Sequence, residues 1–407
     1  MYYSHLITIQ QLVATYNQQQ PLPLFLKSFF KVNKKYGSRD RKTITHHIYN
    51  YYRLGNALPK LEFRERLAVA TYLTDNDNIN LSESVPNQFI NSPDIDERIS
   101  AIKKLFPEFT LESIFPFADE LSHVVDTIAF IKSILSRPKV FIRIRKGFEE
   151  KVKSDFTKSG FVFEELNENT FSFEQEIKIT ESKSFENGWF EIQDLSSQQT
   201  GDFFEGKENE HWWDCCAGAG GKSLLFKDKF PETNLLISDE RENILKNAVE
   251  RLKKAGAKNF EIKTIDLSTI ANQEQIAFPQ KRDRLFLAMR LNHETKTSNR
   301  FDGIIVDAPC SGSGTWARTP ENISFFKKEM IDEFQSKQIS IVENVIGFSK
   351  PGGQLIYITC SAFKKENEDV TQHLLKAGNL KLVKEKLFEG YRQSADTMYA
   401  ALFIKSN

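Results

Sequence analysis

Residues 211–223 read HWWDCCAGAGGKS: an apolar run, an acid, two cysteines and a small-residue turn in which Gly218, Gly220 and Gly221 precede Lys222 and Ser223. A strand that passes through such a turn into a helix brings backbone close to a ligand at the helix N-terminus, where free N–H groups favour an anionic group. Two common versions of that design do not fit. A phosphate-binding P-loop needs glycine at the fifth position before Gly221, where this chain has Cys216. A dinucleotide fingerprint, G-x-G-x-x-G/A, fails at its last position, Ser223.

The following strands narrow the choice. TNLLISD ends on Asp239, where a carboxylate can accept hydrogen bonds from both hydroxyls of a ribose. NFEIKTID ends on Asp266 in the same way, placed to sit beside an adenine. Each Asp alone reads more readily as a helix cap or turn residue. A Gly-rich turn, Asp239 and Asp266 at three consecutive strand ends point to an adenosine cofactor.

Outward from this stretch, short apolar strands alternate with helices: HWWDCCA, TNLLISD, NFEIKTID, FDGIIVDAP, GGQLIYITC and YAALFIK. That alternation predicts an α/β fold with a parallel, doubly wound, Rossmann-like sheet over residues 196–407. Before it, VFIRIRK, FVFEEL and FSFEQEIKI read as strands and FEEKVKSDFTKSG as a helix, a small RRM-like α/β subdomain over 135–195. Residues 1–134 read as a helical domain, with apolar positions at helical spacing in LITIQQLVATY, ITHHIYNYYRL and LSHVVDTIAFIKSIL. The stretch from Asn272 to Arg300 interrupts the rhythm.

Composition sets only outer bounds. The chain has 407 residues, 40% hydrophobic and 27% charged, which suits two or three soluble domains. No apolar run is long enough to cross a bilayer, and MYYSHLITIQQLV lacks the pattern of an export signal, so a cytoplasmic location is expected. Lys+Arg and Asp+Glu balance at 55 each, so net charge does not single out a nucleic-acid partner. Charge distribution is uneven: between Lys27 and Lys60 there are nine basic residues (Lys27, Lys31, Lys34, Lys35, Arg39, Arg41, Lys42, Arg53 and Lys60) against Asp40 alone. Interleaved with aromatics, this stripe can contact RNA phosphates or form a solvated helix face. Lys34, Lys35, Arg39, Arg41 and Lys42, with Arg318, are the candidate RNA contacts. Asn272–Arg300, with six further basic residues, is either another RNA contact or a surface insertion.

The four cysteines are Cys215, Cys216, Cys310 and Cys360. No C-x-x-C pair or nearby histidine pattern suits zinc, so no metal is expected, and disulfides are improbable in such a chain. All four follow apolar runs beside Gly-, Ser- or Asp-rich turns, which suggests chemistry. Cys310 lies in DAPCSGSG (307–314), and Cys360 in YITCS (357–361), which is followed by Glu366-Asn367-Glu368. Both stand at C-terminal strand ends, where open α/β sheets build their sites, whereas a structural cysteine usually lies mid-strand.

DCCAGAGGKS, DAPCSGSG and TCSAFKKENE resemble motifs I, IV and VI of the NOP/Sun family of RNA cytosine-5 methyltransferases. The resemblance covers about residues 135–407. GSRDRKTITHHIYNYYRLG is similar, more loosely, to the N-terminal RNA-binding region of bacterial Sun-type ribosomal RNA enzymes. The family usually has Ala-Pro where this chain has Gly218-Ala219, and Asn272–Arg300 is longer than the family's link. The resemblance implies S-adenosylmethionine as cofactor, bound by Cys216, Ala217, Gly218, Ala219, Gly220, Gly221, Lys222, Asp239, Asp266 and Asp307. It implies Cys360 as the nucleophile, Cys310 as the residue that assists product release, and Asp307 as a bond to the cytosine edge or the cofactor. Small-subunit ribosomal RNA is the preferred partner, with transfer RNA the alternative; no obligate protein partner is evident.

Two other readings are open to test. Glu343-Asn344-Val345 matches a motif of DNA cytosine-5 methyltransferases, but it lies in QSKQISIVENVIGFSKPGG, whose apolar spacing is helical. A non-catalytic RNA-binding assembly factor would keep the fold, yet it would have no need of both cysteines and the Gly-rich turn.

Overall fold

The computed structural model describes residues 3–75, 92–174, 178–267 and 301–406. They form two compact units whose bounds cut across the three sequence segments. One contains residues up to Pro138 together with Gly314–Met330 and Tyr391–Ser394; the other contains the rest. Asn272–Arg300 lies outside the described residues.

The first unit is helical. Leu22, Leu26 and Phe30 on the helix Leu22–Val32, and Ile44, Ile48 and Tyr52 on Ser38–Arg53, recur every four residues and meet Ile9 and Leu12 of Tyr3–Thr15 in one core. Asp40 starts the Ser38–Arg53 helix by accepting the Gly37 N–H at 2.9 Å. Residues 314–330, expected in the Rossmann-like domain, belong to this unit. Trp316 is fully buried against Phe115 and Phe117, and Phe325 packs edge-on to Tyr16 at 5.6 Å. The apolar face of this excursion is covered there, which linear spacing does not disclose. Of the segment LSHVVDTIAFIKSIL, only Thr127–Ile134 is helical, capped by Asp126, which accepts the Ala129 N–H.

The second unit carries two sheets. The smaller is antiparallel, in the order β2-β3-β1-β4, from β1 (Val140–Ile144), β2 (Glu164–Asn167), β3 (Thr170–Phe173) and β4 (Phe190–Ile192). The helix Glu149–Lys158 drops Val152 and Phe156 onto Ile142, Phe171, Phe173 and Phe190. The strand expected over FSFEQEIKI stops at Phe173; residues 175–177 lie outside the description, and Ile179–Glu181 is a 3₁₀ turn.

The larger sheet has seven strands: β5 (His211–Asp214), β6 (Asn234–Asp239), β7 (Phe260–Thr264), β8 (Phe301–Asp307), β9 (Ser349–Thr359), β10 (Leu380–Glu389) and β11 (Thr397–Lys405), in the order β10-β11-β9-β8-β5-β6-β7. Strands β5 to β9 pair in parallel, as the alternation predicts. β11 is antiparallel to both β9 and β10, so the sheet is mixed rather than wholly parallel. The link from Glu389 to Thr397 is shorter than the roughly dozen residues of a parallel crossover, so the chain must turn back. β10, LKLVKEKLFE, escapes sequence reading because this edge strand carries five charged residues, three of them consecutive, which break the apolar pattern.

The chain enters the large sheet at β5, runs outward through β6 and β7, and returns to β8 on the other side. That reversal opens a crevice at the C-terminal ends of β5 and β8. Adjacent tryptophans fix the central strand from both faces: Trp212 packs into one core layer and Trp213 into the other, both fully buried. Gly303 on β8 sits directly across from Trp212, and a Cβ there would lie 2.4 Å from its ring. Among the described residues, no helix is long and apolar enough to cross a membrane.

Gly303→Ala should therefore force the Trp212 ring aside and cost about 1–3 kcal/mol, read as a lower denaturation midpoint in urea. An unchanged midpoint would show that the close packing of β5 on β8 is not a constraint.

Candidate active site

The Gly-rich turn is shaped by packing as much as by any ligand. Gly218 (φ +52°) and Gly220 (φ +79°) occupy the left-handed region, and a Cβ on Gly220 would meet Ala248 at 2.9 Å. Gly220 thus lets the helix Gly221–Lys229 approach the helix Glu242–Lys254. Ala217 donates its N–H to Ser238, and the Ala219 carbonyl accepts from Arg251, which locks the turn to its neighbours.

Asp214, at the end of β5, is fully buried and accepts the Ser223 hydroxyl at 2.5 Å. Burial pushes its carboxyl up to about 7, against the opposing Ser223 hydrogen bond. Asp239, at the end of β6, accepts the Gly218 N–H at 2.9 Å and is gripped by the Arg241 backbone (3.0 Å) and guanidinium (2.9 and 3.2 Å). Burial works against its charge, but the Arg241 side chain and the backbone donors outweigh it and hold the carboxyl below the usual range. Asp266 lies two residues beyond β7 rather than ending it, and is exposed. Asp307 ends β8 and faces the buried Lys222 ammonium at 3.4 Å; that same ammonium donates to Ser197 at 2.8 Å.

Asp239, Asp266 and Asp307, but not the buried Asp214, border a cleft of about 410 Å³. Cys216, Asp239, Asp266, Asp307, Pro309 and Cys310 line it. Of the expected cofactor residues, 217–222 do not line it: the glycines shape the turn, and Lys222 sits behind Asp307. Arg241, Lys337 and Ser340 do line it, and sequence reading missed them because they lie outside any motif.

Cys310 and Cys360 are brought together by the pairing of β8 with β9. The register sets Asp307 opposite Ile358, so the two loops leave the sheet side by side and the sulfurs lie 3.4 Å apart. Cys360 and Cys310 are both partly buried. The Cys310 thiol is pushed well above its ordinary range by its hydrogen bond to Cys360, by burial and by the nearby charges of Cys360 and Glu366. Cys215, grouped with the others by sequence, is buried in the sheet's core at the edge of the cleft, which it also lines.

The Glu343-Asn344-Val345 triplet lies in the helix Met330–Ile346, as its spacing predicts. Glu343 pairs with His373 at an exposed position, and Asn344 donates to the Leu267 carbonyl, so neither lines the cleft.

The basic stripe lies in the helical unit and is not uniformly available. Lys34, Lys35, Arg39 and Lys42 are exposed. Arg41 donates to the Tyr36 carbonyl at 2.9 Å and lies over the Phe30 ring. Arg53, counted in the stripe, is buried and donates to the carbonyls of Ile134 and Ser136, so it is structural. Arg318 belongs to the 314–330 excursion of the same unit.

Residues 203–404 match the family described as 16S rRNA methyltransferase RsmB/F. The matched region belongs to the RsmB/F, or Sun, methyltransferase family. The ribosomal RNA small subunit methyltransferase B of Enterobacter sp. (strain 638) is 31% identical over 193 residues, 47% of this chain and 40% of that protein. The chain thus matches well under half the length of that Sun-family relative. Among solved structures, PH0851 aligns over 100% of this chain and 99% of its own at 19% identity and a TM-score of 0.72. NSun6 from Pyrococcus horikoshii, solved with SFG, aligns over 72% of this chain and 97% of its own at 16% identity and a TM-score of 0.58. At these identities the structural likeness is one of fold.

The buried Asp214 gives a pH signature. Its folded-state pKa of about 7 exceeds the ordinary value of 3.8, so the folded protein binds the extra proton, and this group's contribution falls as pH rises from about 4 to 7. The stability difference between the native chain and Asp214→Asn should shift in favour of the variant across that window in denaturant titrations. A difference independent of pH would contradict a buried, proton-holding carboxyl.

Proposed function

We propose that this chain transfers a methyl group from S-adenosylmethionine to carbon 5 of a cytosine in RNA, small-subunit ribosomal RNA by preference, through a covalent adduct with Cys360. The observation that carries this reading is the pair of sulfurs 3.4 Å apart, one of them on the wall of a cleft that also carries Asp239, Asp266 and Asp307. The matched family is one of ribosomal RNA methyltransferases, and the NSun6 neighbour was solved with SFG, an analogue of S-adenosylmethionine.

The residues present suit that cofactor. Asp239 is ionised and held in place, and carboxylates at the ends of β6 and β8, with Asp266 just beyond β7, suit a cationic ligand that also carries a ribose diol. Asp239 would take the ribose and Asp266 the adenine end, and bound S-adenosylmethionine would supply the methyl group as a sulfonium.

Carbon 5 of cytosine is a weak nucleophile. Addition of the Cys360 thiolate at carbon 6 pushes electron density onto carbon 5, which can then accept a methyl group; loss of the carbon 5 proton to a base expels the thiolate and restores the ring. Asp307, fixed by Lys222, can bond the cytosine edge and stabilise charge as the ring is attacked. Cys310, kept a thiol by its surroundings, lies close enough to hand its proton toward the Cys360 sulfur and assist release. The target base must be unstacked for attack on its face, so a single-stranded or splayed nucleotide is expected.

With labelled S-adenosylmethionine and unmodified RNA, Cys360→Ala should lower methyl transfer by about a thousandfold or more while calorimetric cofactor binding persists. Cys310→Ala should accumulate a protein–RNA adduct stable to denaturing electrophoresis. An adduct in Cys360→Ala instead, or methylation of DNA in preference to RNA, would favour the DNA-type chemistry; binding of cofactor without transfer by the native chain would favour an assembly factor.

The exposed cations of the helical unit support an RNA partner. Replacing Lys34, Lys35, Arg39 and Lys42 together with Ala should weaken RNA binding and flatten the dependence of log K on log salt by about 0.7 for each phosphate that is no longer neutralised. An unchanged slope in filter-binding titrations would return the stripe to a solvated surface.

A further inference from the structure

One buried carboxylate joins the two cysteine loops. Glu366 has no solvent exposure. Its Oε2 accepts the N–H of Ser311, the neighbour of Cys310, at 2.9 Å, and the side-chain amide of Gln338, also at 2.9 Å. Its Oε1 accepts the hydroxyl of Ser361, the neighbour of Cys360, at 2.7 Å. The Gln338 amide also donates to the carbonyl of Pro309 at 3.1 Å, so the residues on both sides of Cys310 are tied to the same group. Ser311, Ser313 and Ser361 hydroxyls lie 3.1–3.2 Å from one another, and the Ser313 hydroxyl accepts the Ala362 N–H, which closes the network across the two loops.

Burying a carboxylate without a cation is costly, and burial pushes the Glu366 carboxyl up against the pull of its Ser311, Ser361 and Gln338 donors. An apolar side chain would fill the space at lower cost, but it could not hold two loop backbones to one point. We propose that Glu366 is a positioning residue for the thiol pair: it clasps the Cys310 loop to the Cys360 loop and thereby sets the contact distance between the sulfurs. The consequence for catalysis rests on the methyltransferase reading; the clasp itself does not.

The test uses the full chain and the variants Glu366→Ala, Glu366→Gln and Gln338→Ala, with thermal unfolding to confirm that each folds. Treatment with diamide closes a Cys310–Cys360 disulfide: the two thiols give up two protons and two electrons, which reduce the diazene bond to a hydrazine. Peptide mapping under non-reducing conditions gives the rate. Glu366→Ala should slow closure by about tenfold and Gln338→Ala by about threefold, since misplacement by an ångström carries penalties of this order or more. Glu366→Gln should restore most of the rate, because an amide oxygen can accept from Ser311 and Gln338 while its NH₂ group donates to the Ser361 hydroxyl. Methyl transfer should follow the same ranking in kcat, with cofactor affinity retained. Closure in both Glu366→Ala and Gln338→Ala at the native rate would overturn the clasp, as would a Glu366→Gln variant as slow as Glu366→Ala. If Glu366→Ala does not fold, slowed closure in Gln338→Ala alone supports the clasp. Slowed closure together with no methyl transfer by the native chain would sink the proposed function and leave the clasp standing.

Discussion

The parallel pairing of β8 with β9 is the constraint on which the site depends. Its register places Asp307 opposite Ile358, and from that point two loops of similar length carry Cys310 and Cys360 to the same place. A shift of one residue would turn the strand's apolar side chains out of their layers, so the register is set by the same burial that stabilises the sheet. The fully buried Val306, Leu355 and Tyr357 in one layer and Ile305, Ile356 and Ile358 in the other enforce it.

Around that pairing, the carboxylates that bear on the cleft and the cysteine loops are held by partners. Asp239 has Arg241 and two backbone N–H groups; Asp307 has Lys222, itself held by Ser197; Glu366 has three donors and no cation among the described residues. Such networks contribute little net stability compared with apolar packing, but they specify one arrangement of the loops and resist others. The cleft therefore combines a stiff floor of strand ends with walls whose side chains are already oriented.

The helical unit is built partly from chain that sequence order assigns elsewhere. Immediately after the DAPCSGSG loop, residues 314–330 leave the large sheet, bury Trp316 against Phe115 and Phe117 and pack the partly buried Phe325 on Tyr16. The Cys310 loop is thus followed at once by a segment whose core lies in another unit. Domain bounds drawn from composition and periodicity follow the chain, whereas the burial of aromatic side chains follows space.

The sequence by itself determined the class of fold and the chemistry within reach. Alternation of short apolar strands with helices calls for a parallel sheet, because each strand buries both faces, and the strand-end positions of Asp239, Asp307, Cys310 and Cys360 follow from the breaks in those runs. Local pattern could not reveal the antiparallel β11, the charge-rich β10, the excursion of 314–330, the structural role of Arg53 or the turn-shaping role of Gly220. Each depends on which surface packs against which, a quantity set by contacts distant along the chain. Only the tertiary structure decided that Lys222 backs Asp307 rather than lining the cleft, that Cys215 belongs to the core, and that Glu366 ties the two cysteine loops together, because a hydrogen bond between residues 55 apart leaves no trace in spacing.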